Sequence, residues 1–247
     1  MKIITFGGGG RVEECARILA DRLPLDESAR AIILPIPSAR DKRYITGTDL
    51  PISDIFPLLA PSTLVVGYSI PEQIAVRAEQ ASAVVYDAAL DEDFLLANAE
   101  LTARGAVGYI LTHSVRDISE MTFGVVGYGR IGMRLIRLLL LLGGKITLFT
   151  RSIKTATEVG EMGICARVLD GNCDIGGVDM LINTAPARLI DIDMLDPETE
   201  IIELASGNNF DPSDRITRLM SIPDRYYPRT AGRLYAEGAL RRLGGRL

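Results

Sequence analysis

Phe123-Gly124-Val125-Val126-Gly127-Tyr128-Gly129-Arg130-Ile131-Gly132-Met133 is the stretch that decides the fold of this chain. A short apolar run meets three glycines spaced Gly-x-Gly-x-x-Gly, and an apolar helical pattern over 133–142 follows at once. Strand, glycine turn and helix in that order are the context that gives the motif its meaning. Gly127 permits the tight turn, Gly129 lets a pyrophosphate approach the backbone, and Gly132 lets the helix pack close to the strand. The free N–H groups and positive end of the helix then face an anion. Gly127, Tyr128, Gly129, Arg130, Ile131 and Gly132 are therefore the expected dinucleotide loop.

The next apolar run, 146–149, ends in Thr150-Arg151-Ser152. A site selective for NAD places an Asp or Glu there, about 20 residues past the glycines, to hold the ribose 2′-hydroxyl. No carboxylate stands at this position. Arg151 offers a charge-assisted contact to a 2′-phosphate, Thr150 takes the place of the acid, and Ser152 is placed to cap the next helix. The expectation is NADP rather than NAD. Ligands of open α/β sheets sit beyond the carboxyl ends of the strands. That adds Asn183, Thr184, Ala185 and Pro186 after the run 179–183, and Ala205 and Ser206 after the run 201–204, to the expected cofactor contacts. Further strands are expected at 165–168 and 219–222.

Before the glycine loop the same alternation appears. Strands are expected at 3–6, 31–34, 63–66 and 83–86, with helices after 10 and after Pro71 and a loop rich in Pro and Ser after 34. Gly7 to Gly10 resembles a second glycine loop, but no register puts glycine at all three motif positions, and Glu13 and Glu14 in the first helical turn would repel a phosphate. It reads as a structural turn, with a role in closing on substrate as the alternative. The fold class expected is α/β, with two Rossmann-like, doubly wound parallel-sheet domains and an interdomain cleft. The first would cover 1–95, with the final helix, 229–247, packing back on it. The second, 96–228, would bind the dinucleotide and include a connecting helix.

Composition limits the rest. The chain has 247 residues and a net charge of −5, from 27 basic and 32 acidic side chains. An acidic balance excludes a general nucleic-acid binder, which needs a basic face. The longest purely aliphatic run, 138–142, is far short of the roughly 20 residues that span a bilayer. Cys15, Cys165 and Cys173 form no CxxC pair, and His113 is the one histidine, so neither a zinc site nor a disulfide framework is expected. These features suit a reducing cytoplasm.

The loop Gly127 to Gly132, with a small domain before it, resembles the 2-hydroxy-acid dehydrogenases. That resemblance would require an Arg after the fifth strand and a later catalytic His. The chain has Ala205-Ser206-Gly207 at the first place and no histidine after His113. A closer resemblance is to the family of A-type subunits of dipicolinate synthase, found in spore-forming bacteria. It rests on GVVGYGRIGMRL at 124–135, LFTRS at 148–152, EMG at 161–163, DMLINTAP at 179–186 and IIELAS at 201–206. Pro228-Arg229-Thr230-Ala231-Gly232 is similar to that family's Pro-Lys-Thr-Ala-Gly, and NAELTARG at 98–105 to its Asn-x-x-Pro-Thr-x-Glu-Gly.

The resemblance implies an NADP-dependent oxidoreductase of sporulation. It would take a small cyclic dicarboxylate, a hydroxylated tetrahydrodipicolinate, through loss of water and of hydride to the aromatic ring. It also implies a flavoprotein-like B-type subunit as partner. Carboxylates want Arg or hydroxyl partners, and the candidates are Thr102, Arg104, Arg188, Arg229 and Thr230. Two positions depart from the family: Leu101 stands for its Pro and Arg104 for its Glu. The loop after Ser206 is also shorter and lacks a Pro-Gly-Gly stretch. A catalytically silent nucleotide-binding subunit, serving as regulator or scaffold, is therefore the second reading, and a paralogue acting on another small carboxylate is a variant of the first. The catalytic acid or base and the oligomeric state, homo-oligomer or not, stay open.

Overall fold

The computed structural model describes residues 2–23, 30–170 and 173–244. The last three positions of the expected C-terminal segment lie outside it. The chain packs as two compact units, one of residues 1–98 with 223–247 and one of 99–222.

In the first unit, β1 (Lys2–Thr5), β2 (Arg30–Ile33), β5 (Thr63–Gly67) and β6 (Val84–Asp87) form a parallel sheet in the order β1-β2-β5-β6. Parallel strands buried on both faces read as continuous apolar runs, and β5 is buried at every residue. Alternate residues serve opposite layers. Ala31, Ile33, Leu64 and Val66 face α1 (Gly10–Arg22) and α7 (Pro228–Gly244). Ile32, Leu34 and Val65 face Ile74 of α2 (Glu72–Gln80) and the 3-10 helix Ile52–Leu58. The segment expected as a Pro/Ser-rich loop also holds a hairpin, β3 (Ala39–Arg40) and β4 (Tyr44–Ile45). Its turn puts Asp41 and Lys42 at positive φ, 52° and 56°. The sequence carries no Asn-Gly or Asp-Gly pair to announce that turn.

The helix α3 (Glu92–His113) begins in the first unit and ends in the second. Asp91 starts it by accepting the N–H of Phe94 at 3.1 Å. The same carboxylate accepts from Tyr86 at 2.8 Å and from Arg241 of α7 at 3.0 Å. His113 closes α3, exposed, with its ring stacked on Tyr109 at 3.9 Å.

The second unit holds a six-stranded, wholly parallel sheet. Its strands are β7 (Thr122–Val126), β8 (Lys145–Thr150), β9 (Cys165–Val168), β10 (Met180–Asn183), β11 (Glu200–Glu203) and β12 (Ile216–Arg218). The order is β12-β11-β10-β7-β8-β9, which makes β7 and β10 the central pair from which the chain winds outward in both directions. The last strand is displaced from its expected place. Residues 219–222 do not pair as a strand: Leu219 and Ile222 are buried, Ser221 takes φ 54°, and Ile222 opens the short α6 (Ile222–Tyr226). Ile216-Thr217-Arg218 pairs instead, because an edge strand needs only one partner and tolerates polar residues. The apolar signal at 219–222 marks burial at a turn, not a strand.

The contact of α7 with Tyr86 gives a sharp test. A Cβ at Gly238 would overlap the Tyr86 hydroxyl and ring carbon, and Asp91 holds that hydroxyl in place. Gly238→Ala gains about 1 kcal/mol of helix propensity, while overpacking costs about 1–3 kcal/mol. The expected outcome is a net loss of stability in urea melts. Gly238→Ala in a Tyr86→Phe background should recover part of it.

Candidate functional site

The chain order reverses between β7 and β10, and ligand crevices of such sheets open at that switch point. The glycine loop lies there. Gly127 follows β7 at φ 91°, a value that favours glycine, and its N–H is held by the Phe149 carbonyl of β8 at 2.9 Å. Thr184, just past β10, donates its hydroxyl to the Val126 carbonyl at 2.8 Å and to that of Gly127 at 3.3 Å. A Cβ at Gly127 would come within 3.1 Å of the Thr184 hydroxyl and 3.3 Å of the Ala185 methyl. A Cβ at Gly132 would overlap the Gly127 carbonyl and reach 3.0 Å from Thr184. The protein itself therefore requires glycine at 127 and 132.

Gly129 differs. Its φ is −84°, which any residue adopts, and among the described residues no atom lies within 4 Å of where its Cβ would stand. Nothing in the fold needs glycine at 129, and the space above it is open. It caps α4 (Arg130–Leu141), a helix with no acidic residue in its first turn and no side-chain cap. The positive end of the helix dipole there favours an anion. Open space above Gly129, a helix start without a side-chain cap and positive potential together fit a pyrophosphate group.

The neighbouring strand ends complete the crevice. Thr150 is buried at the end of β8, and its hydroxyl accepts from the Ser152 N–H at 3.2 Å. Ser152 caps α5 (Ile153–Glu161) by accepting from Thr155 at 3.1 Å, as its place in the sequence predicts. Arg151 between them is exposed. Asn183 is buried and internally committed: its Nδ2 donates to Glu203 at 2.9 Å and to the Ala185 carbonyl at 3.1 Å, and its Oδ1 accepts from Ala185. Its side chain shapes the loop, and Pro186 is the exposed residue of that turn.

Glu203, which the motif reading passes over, is the hub of this arrangement. It is 0% exposed at the end of β11. It accepts from Asn183, from the Ala205 N–H at 2.8 Å and from Asn209 at 3.2 Å. Burial raises its pKa, against these donors and the charge of Arg218, which lower it. A Glu in the apolar run IIELAS, with Asn at the end of the neighbouring strand, is the signal that points to it.

The five candidates for substrate contact fall in different settings. Thr102 is buried on α3. Arg104 is exposed and paired with Glu100 at 2.9 Å, and Glu100 also meets Arg134 of α4 at 3.3 Å. Arg188 is exposed and held by Asp211 through both its terminal nitrogens. Arg229 and Thr230 lie in the first turn of α7, the former exposed and the latter half-buried. Among the described residues, Arg104 and Arg188 thus have their charges committed to carboxylates of the chain.

The strand order and the glycine turn at its switch point define the class: a doubly wound fold of the Rossmann type. Comparison with known proteins then narrows it. No family model matches the chain. It is homologous to the A-type subunit of dipicolinate synthase from Bacillus subtilis (strain 168), 26% identical over 176 residues, which is 67% of this chain and 58% of that relative's length. The crystal structure of the same subunit from Bacillus halodurans shares the fold over 97% of this chain and 96% of that one, at 20% identity and a TM-score of 0.75. The transhydrogenase of Sinorhizobium meliloti shares it at 17% identity and a TM-score of 0.61, over 97% and 91% of the two chains. No described helix is long and apolar enough to cross a membrane.

The two kinds of glycine should separate in stability measurements. Gly132→Ala should lower the urea midpoint, by about 1–3 kcal/mol of stability, because its overlap is with backbone. Gly129→Ala should leave it unchanged. Glu203 sets a pH dependence. Its folded pKa is raised, so its contribution to stability is full below the ordinary value of 4.5 and lost as pH climbs through the raised one. Glu203→Gln should remove that component from urea midpoints measured between about pH 4 and pH 8.

Proposed function

We propose that the chain is an NADP-dependent oxidoreductase of the type formed by the A-type subunit of dipicolinate synthase, which dehydrogenates a small cyclic dicarboxylate of the dihydrodipicolinate kind to the aromatic diacid. One observation carries the cofactor half of this reading: Gly129 faces open space at an uncapped helix N-terminus, while its two partner glycines are demanded by packing. The homology carries the substrate half.

A nicotinamide, when bound, accepts the hydride lost by the ring. The residues of this chain bind and orient. The N–H groups of 130–132 receive the pyrophosphate, and Gly127 and Thr184 hold that turn against the sheet. Thr150, Arg151 and Ser152 receive the 2′-phosphate. The turn of Thr184, Ala185 and Pro186, set by Asn183 and Glu203, and that of Ala205 and Ser206 line the nicotinamide side. Aromatisation of the product supplies driving force, so positioning is the main demand on the protein. Thr102, Arg229 and Thr230 are the substrate contacts this reading favours. Arg104 and Arg188 would have to leave Glu100 and Asp211 to join them. A flavoprotein-like B-type subunit is the proposed partner. The commitment of Arg104 to Glu100, in place of a family carboxylate, supports the second reading, a nucleotide-binding subunit without its own catalysis.

Cofactor preference is the decisive measurement. No carboxylate follows β8 to oppose a 2′-phosphate, and hydrogen bonds to a charged group are worth about 1.5–3 kcal/mol. Fluorescence titration should show NADPH binding more than about tenfold tighter than NADH. Arg151→Ala should reduce that ratio by a similar factor and leave NADH affinity unchanged. Equal affinities in the parent protein would overturn the assignment. An assay of NADP reduction with the cyclic dicarboxylate then separates the enzyme from the silent subunit.

A further inference from the structure

The first unit buries an arginine that the folded chain does not satisfy. Arg11, the second residue of α1, is only 5% exposed, and its Nε and Nη1 are buried with no hydrogen-bond partner among the described residues. An unpaired buried guanidinium is among the most costly groups a core can hold. It does not escape by losing its proton, since arginine stays charged in proteins.

It follows the glycine loop at the carboxyl-terminal end of β1. The carboxyl ends of β1, β2 and β5 lead into Gly7, Leu34 and Tyr68, the side of a parallel sheet where ligands bind. Tyr68 and Tyr235 are electrostatic neighbours of the guanidinium, and the Tyr235 hydroxyl is anchored on the Leu34 carbonyl at 3.2 Å. Gly7, at φ 71°, brings the loop against the backbone of Thr46: a Cβ there would stand 3.0 Å from the Thr46 carbonyl. The Thr46 hydroxyl is itself buried without a partner among the described residues. Unsatisfied donors thus belong to two segments that meet at one glycine loop.

The nearby acids do not fill these donors. Asp224 is the strongest charge partner of Arg11, yet its Oδ1 takes the backbone N–H of Arg11, at 2.8 Å. Its Oδ2 lies 2.7 Å from where a Cβ of Gly9 would be, so glycine is what lets Asp224 sit there. Glu14 is tied to Arg17 at 2.8 Å, and Glu13 is exposed. The repulsion expected of these two residues is thereby blunted. Burial works against the Arg11 charge and Asp224 supports it.

We propose that Arg11 is a carboxylate-binding residue: its buried guanidinium, with the Thr46 hydroxyl beside the Gly7–Gly10 loop, holds a carboxylate of a small organic acid. The planar fork matches a carboxylate, and Tyr68 and Tyr235 are the aromatic neighbours of the guanidinium. The choice of pyridine-2,6-dicarboxylate as probe rests on the proposed function; the carboxylate chemistry of the site does not.

The test uses the full chain and two substitutions, Arg11→Met and Arg11→Lys. Calorimetric titration with pyridine-2,6-dicarboxylate should show binding to the parent protein, weakened about tenfold or more in Arg11→Met and less in Arg11→Lys. The thermal midpoint of Arg11→Met should equal or exceed that of the parent, since an apolar side chain of similar length removes buried donors that lack partners. A purely structural arginine gives the opposite: Arg11→Met melts lower or fails to fold, and that result overturns the proposal. It is equally overturned if the parent protein does not bind the diacid, if Arg11→Met binds it as tightly, or if inorganic phosphate displaces it at equal concentration. NADPH titration of the same proteins reads the second unit separately. Its failure would refute the cofactor assignment and leave the Arg11 result standing.

Discussion

No side chain fits between the Gly127 carbonyl and the Cα of Gly132, and the nucleotide-type crevice depends on that approach. It draws the first turn of α4 over the end of β7. The same closeness fixes the direction of the helix, so its N-terminal end lies where the strand order reverses. Thr184 reinforces it from the far side by binding the Val126 and Gly127 carbonyls at once. A turn held by the backbone of β8, the hydroxyl of Thr184 and the helix itself has little freedom left. Such rigidity suits a site whose task is to orient a ligand. It also separates two kinds of glycine in one motif: 127 and 132 are demanded by packing, and 129 is not.

The other half of the crevice is organised by a carboxylate instead of a close approach. Glu203 ties together the ends of β10 and β11 and the loop that carries Asn209. Every donor it engages would be left unsatisfied without it, at a cost of about 1–3 kcal/mol each. This network explains why Asn183 turns inward. A short polar residue at a strand end is placed to touch a ligand, but it is also placed to stabilise its own turn through Ala185, and here the second use wins. The nicotinamide side of the proposed site is thus shaped by residues that need not touch the cofactor.

What was legible in the sequence had short-range causes. The glycine spacing encodes backbone geometry within one turn, and Ser152 reads as a cap because its partner, Thr155, follows in the first turn of its own helix. Buried parallel strands declare themselves as apolar runs. Elements whose signal depends on distant partners were not legible. The hairpin 39–45 forms on a turn without the usual residues, and β12 is recruited by β11 while the more apolar 219–222 enters the core as a turn. Glu203 meets Asn183 across 20 residues. Arg11 is instructive because a signal was present: 11, 15 and 19 share one helix face, and Cys15 and Leu19 are fully buried. The glycines before it and the acids after it, Glu13 and Glu14, concealed a charge on the apolar side.

Each unit therefore buries an ionisable side chain at the carboxyl end of its sheet, and the contrast between them is informative. Glu203 is surrounded by donors and is complete within the fold; burial shifts its titration, but no partner is missing. Arg11 has a neighbouring carboxylate and still keeps two buried nitrogens without a partner among the described residues. Folding alone would remove such a group, since an apolar replacement of the same length is neutral or better for stability. A residue that opposes its own core persists where the deficit is made good by binding. The same logic selects Gly129, which the packing does not require. In both units the proposed ligand site is the place where the chain departs from what its own stability asks.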